Sequence, residues 1–157
     1  MKRKTNIIVL CLIVASMSIY SLQTFSHCQI PCGIYGDETR FTMLEEHITT
    51  IEKSMKLINE LSADDAAAHT NQIVRWVNNK ENHADAFTEI VTQYFLAQRI
   101  KPVDDADKAQ FGVYTKKLVL LHKMMVSSMK AKQTTDVKHV ADLKKLVKDF
   151  HDLYGHK

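Results

Sequence analysis

His27, Cys28, Pro31 and Cys32 fall within six positions of one another in the stretch SLQTFSHCQIPCGIYGD, which holds two of the chain's three cysteines and one of its two prolines. A cut between Ser26 and His27 would place a free α-amine, the His27 imidazole, the Cys28 amide nitrogen and the thiolates of Cys28 and Cys32 in one short loop. Nitrogen and thiolate donors in a plane suit a d8 ion such as Ni(II), or Cu(II), whereas a structural zinc site draws three or four side-chain ligands into a tetrahedron. The amine and the next amide close a five-membered chelate ring, and the Cys28 side chain closes another. Pro31 supplies the sharp turn that returns Cys32 to an ion held by Cys28, and Gly33 and Gly36 free the backbone just beyond. The same residues also read as a Cys28–Cys32 disulfide loop, the default for a pair of thiols in an oxidising compartment.

What precedes the loop makes the cut a physical expectation. Lys2, Arg3 and Lys4 form a positive start, Ile7 to Ile19 is almost unbroken apolar sequence, and Thr24 and Ser26 make a small-x-small pair. This is the anatomy of a secretory signal peptide over residues 1–26, and it implies export to a periplasmic or extracellular space with a processing peptidase as partner. The apolar run is short for a membrane span, so no membrane association is expected after cleavage. Removal of the leader takes Cys11 with it, leaving Cys28 and Cys32. It also takes three of the 21 basic residues and no acid, so that 18 Lys and Arg then balance 18 Asp and Glu. A chain with no positive surplus is a poor nucleic-acid binder, and no such partner is expected.

Stepping along the rest of the chain, apolar residues recur at three and four residue spacing, the stripe of amphipathic helices. Leu44, Ile48, Ile51, Met55 and Ile58 predict a first helix over about 38–60. Ser62 and Asp65 resemble a capping box that opens a second near residue 63. Ile73, Val77, Ala84, Phe87, Val91 and Tyr94 carry it to about 98, with a kink allowed at Asn78 and Asn79. Pro102, Asp104 and Asp105 separate it from a third helix over about 104–131, striped by Leu118, Leu121, Met125 and Met129. Thr134, Thr135 and Asp136 break the chain again, and Val140, Leu143, Val147, Phe150 and Tyr154 mark a fourth helix closed by Gly155. The expected fold is all-α, an antiparallel up-and-down four-helix bundle over 38–157 with a hook at 27–37. The helices themselves carry no recognisable constellation: no Glu stands three residues before His47, His83, His122, His139 or His151, so a ferritin-like di-metal site is excluded. The remaining histidines, including His47, His69 and His156, read as polar-face residues.

The segment HCQIPCGIYGD resembles the amino-terminal hook of nickel-containing superoxide dismutases, whose pattern is His-Cys-x-x-Pro-Cys-Gly-x-Tyr. His27, Cys28, Pro31, Cys32, Gly33 and Tyr35 fill every fixed position, and KENHAD at 80–85 and Tyr94-Phe95 resemble further segments of the family. The resemblance implies a four-helix bundle assembled as a homohexamer, a nickel cofactor and superoxide as substrate. It implies that the His27 amine, the Cys28 amide and the Cys28 and Cys32 thiolates form a plane of ligands, with the His27 imidazole axial and Tyr35 beside the open face. Tyr94 is implied as a partner of Tyr35. The chain departs from some members at Gln29, where they carry Asp, and at His83, where they carry Arg. A Glu that orients the axial imidazole in some members aligns with Leu44, leaving Glu45 beside it as the candidate. Two other readings stand next to this one: a helical copper or nickel carrier using the same site without turnover, and an interaction bundle with a Cys28–Cys32 disulfide.

Overall fold

The computed structural model describes residue 34 and residues 36–155, and all four helices fall within that range. Helix α1 spans Asp37–Ala63 and helix α2 spans Ala66–Glu89. Without a break α2 runs on as a π-helical segment, Ile90–Arg99. Helices α3 and α4 span Lys108–Gln133 and Lys138–Gly155. Each packs against its neighbours in a ring, α1 on α2, α2 on α3, α3 on α4 and α4 on α1, which is the expected up-and-down bundle. Among the described residues no helix is long and apolar enough to cross a membrane.

The stripes explain the packing. Every apolar position expected on α1 is buried, joined by Phe41, and Val140, Leu143, Val147 and Phe150 are buried on α4. On α3 the buried face is Leu121, Met124, Ser128 and Ala131. The stripe expected there was rotated: Leu118 and Met125 pack only at its margin and Met129 is half exposed. The reason is close helix contact. Ser128 and Ala131 are small enough to let α3 approach α2, and the Ser128 hydroxyl donates to the Ala84 carbonyl at 2.9 Å. A hydrophobicity pattern passes over serine and alanine, so it selects the methionines instead.

Caps also differ in detail from the expected ones. Ser62 lies inside α1, and Asp65 alone caps α2, accepting from the Ala67 and Ala68 amides at 3.1 and 3.2 Å. Asp107, not Asp104 or Asp105, caps α3 through the Gln110 amide at 3.0 Å. Asp136 receives the Lys138 amide at the start of α4. No break occurs at Asn78 and Asn79, since Asn79 donates across to the Ser54 hydroxyl on α1 at 3.0 Å and holds α2 in place. The irregularity lies further on, where the Ile100 amide donates to the Phe95 carbonyl at 3.0 Å, five residues back.

At that end of the bundle the core becomes aromatic. Phe41, Phe95, Phe150 and Tyr154 pack with ring centroids 4.8 to 5.8 Å apart, mostly tilted or edge-to-face. This cluster ties α1, the π segment and α4 together directly beneath the point where the hook segment joins α1.

Candidate metal centre

His27, Cys28, Pro31, Cys32, Gly33 and Tyr35 lie outside the described residues. What is visible is their attachment to the bundle. Gly36 sits at φ +81° and ψ 159°, the single positive φ among the described residues, in a region essentially restricted to glycine. Asp37 follows as the first residue of α1, where a carboxylate favours the exposed amides of the helix start.

Asp37 is held from three sides. The Tyr94 hydroxyl donates to its Oδ1 at 2.5 Å and the Tyr154 hydroxyl to its Oδ2 at 2.6 Å. Arg99 places Nη2 2.8 Å from the same Oδ1 and donates to the Tyr94 oxygen at 2.9 Å. Arg40 and Arg99 lie over the Tyr94 ring at 4.8 and 5.0 Å, and Lys117 lies 5.5 Å over the ring of Tyr154. Burial by itself would raise the Asp37 pKa, but the hydrogen bonds from Tyr154 and Tyr94 and the charge of Arg99 outweigh it and hold the carboxyl below its ordinary value. Burial and the neighbouring carboxylate push both phenols up, so Tyr94 and Tyr154 stay protonated and serve as donors.

The π segment makes this clamp possible. In an α-helix a step of five residues rotates a side chain by about 140° from its starting direction, so Tyr94 and Arg99 would diverge. Bonding at five-residue spacing brings them to one face, and both reach Asp37. Such local widening of a helix is frequent where function concentrates.

The three sequence candidates within the described residues separate. Tyr94 is buried at the clamp, where it donates to Asp37, two positions after Tyr35 in the sequence. His83 stands eleven residues earlier on α2, about 16 Å down the helix, and its partner is His47, with the Nδ1 atoms 2.9 Å apart. Glu45 is exposed on α1, while adjacent Leu44 is fully buried in the core. Asp37 and Arg99 were not singled out from the sequence, and Tyr154 was read only as part of the apolar stripe of α4. No local pattern pairs residues 37 and 154, and the Tyr94-to-Arg99 spacing carries no meaning under an α-helical period.

Among the described residues no group of three or more His, Cys, Asp or Glu side chains is placed to hold a metal ion. The thiol and imidazole candidates at residues 27–32 lie outside the described residues. What the described residues define is an all-α four-helix bundle. The model of the nickel-containing superoxide dismutase family matches residues 22–157, and the chain belongs to that family. It is a nickel-dependent oxidoreductase that converts superoxide to dioxygen and hydrogen peroxide. The non-catalytic carrier reading is not favoured. No curated protein and no solved structure matches the chain.

Proposed function

We propose that the nickel of this enzyme is held by the first six residues of a processed chain beginning at His27: the His27 amine and imidazole, the Cys28 amide nitrogen, and the thiolates of Cys28 and Cys32. Bound there, nickel supplies a one-electron couple between Ni(II) and Ni(III), made accessible by thiolate and amidate donors. Pro31 and Gly33 would turn the backbone to bring Cys32 back to the donors of Cys28. Tyr35 would stand beside the bound ion and orient water or superoxide through its hydroxyl. The Asp37 clamp fixes the residue two positions after Tyr35, and so would give the hook a rigid base. Glu45, His83 and Tyr94 are the candidates for outer contacts, and Tyr94 is the best supported, because it touches the residue that anchors the hook.

Export, removal of residues 1–26 by a signal peptidase and assembly into a homohexamer belong to the same proposal. A hexamer would cover apolar side chains that the protomer leaves exposed, among them Val113, Val119 and Met129. The observation that carries the reading is the family match, which runs through the hook pattern and the whole bundle.

The test compares chains beginning at His27 with chains carrying one extra residue ahead of it, both loaded with nickel and assayed for superoxide dismutation. The extra residue turns the amine ligand into an amide and displaces the imidazole, so activity is expected to vanish. Equal activity in the two chains overturns the assignment of the ligands.

A further inference from the structure

Two histidines meet between α1 and α2. His47 on α1 and His83 on α2 face one another, with Nδ1 atoms 2.9 Å apart and ring centroids 5.1 Å apart at an interplanar angle of 61°. Both are half-buried. With no ion between them, the spacing is that of a hydrogen bond in which one ring donates and the other accepts.

The same spacing has a second chemical meaning. Two imidazole nitrogens, each about 2.0–2.1 Å from one ion and at right angles to each other, lie roughly 2.9 Å apart, whereas a tetrahedral angle sets them about 3.4 Å apart. A right angle is the cis arrangement of square-planar, tetragonal and octahedral ions, and imidazole suits nickel and copper. The χ2 torsion of histidine is broad, so rotation of the two rings would be the way to turn both lone pairs towards one ion.

We propose that His47 and His83 form a two-imidazole site for a divalent transition-metal ion of the Ni(II) or Cu(II) type, with water completing the coordination. Loading the neutral pair moves the bridging proton from Nδ1 to Nε2 of the donating ring, so both Nδ1 atoms present lone pairs and no proton leaves the protein. The ion would bridge α1 and α2 and stabilise their pairing by mass action. The proposal rests on the His47–His83 contact and not on the hook ligands, whose assignment can fail while this one stands.

The test uses nickel-loaded protein, titrated with additional Ni(II) in a calorimeter. One further equivalent per chain is expected, with its affinity reduced more than about tenfold in His47→Gln and in His83→Gln. The exposed His122 on α3 provides the control, and His122→Gln is expected to bind normally. Absence of the further equivalent, or its persistence in both variants, overturns the proposal. The unsubstituted protein gives a check free of folding effects. As Ni(II) is added, its paramagnetism is expected to broaden the ring resonances of His47 and His83 before those of other histidines. Broadening that begins elsewhere overturns the site.

Discussion

Asp37 concentrates two tyrosine hydroxyls and a guanidinium on one carboxylate, and its ionisation should therefore be visible in the protein's stability. Its pKa in the folded chain is held below the ordinary value of 3.8. A depressed carboxylate contributes stability that is present above its unfolded pKa and is lost as pH falls through the folded one. Denaturant melts of the unsubstituted chain should thus show an acid limb below about pH 4. Asp37→Asn is expected to flatten that limb and to cost about 2 kcal/mol at neutral pH, the scale of charge-assisted hydrogen bonds. Gly36 makes a different demand. A Cβ there would meet no atom within 4 Å, yet the φ of +81° is unfavourable for any L side chain. Gly36→Ala is expected to cost about 1–3 kcal/mol by chemical denaturation, through backbone strain alone.

At the scale of elements, a buried lysine ties the end of α3 to α2. Lys80, 3 % exposed on α2, donates to the Lys132 and Thr134 carbonyls at 2.6 and 2.9 Å and so caps the end of α3 with a positive charge. Burial lowers its pKa, opposed by Glu81. Lys80→Ala leaves those carbonyls without this donor, and a loss of about 2–3 kcal/mol is expected in thermal or denaturant melts. The sequence showed the helices plainly, because long runs at three and four residue spacing leave few alternatives, as on α1 and α4. It did not show Lys80 as a cap, since a lysine in an amphipathic helix reads as solvated until its neighbours in space are known. The π segment was hidden for a related reason. Its residues satisfy an α-helical stripe through Tyr94, and only the five-residue bond from Ile100 to Phe95 reveals the change of period. The proposed nickel ligands fall within six residues outside the described part of the structure, while the Asp37 clamp is assembled from three separate helical segments.

At the scale of the molecule, the apolar and aromatic core of the bundle and the proposed nickel ligands occupy different parts of the chain. Removal of nickel by a chelator is therefore expected to abolish dismutation while leaving the helical circular dichroism nearly unchanged. Loss of both together would mean that the metal is a structural part of the fold, as in small zinc domains. The clamp carries this separation one step further. Asp37, Tyr94, Arg99 and Tyr154 all lie downstream of Gly36, and among the described residues they hold one another together. The base on which the hook rests can be complete while the leader is still attached. Under the proposed cleavage before His27, maturation would require no refolding of the clamp: hydrolysis of one peptide bond would create the last ligand, and the onset of activity would be set by proteolysis and metal supply.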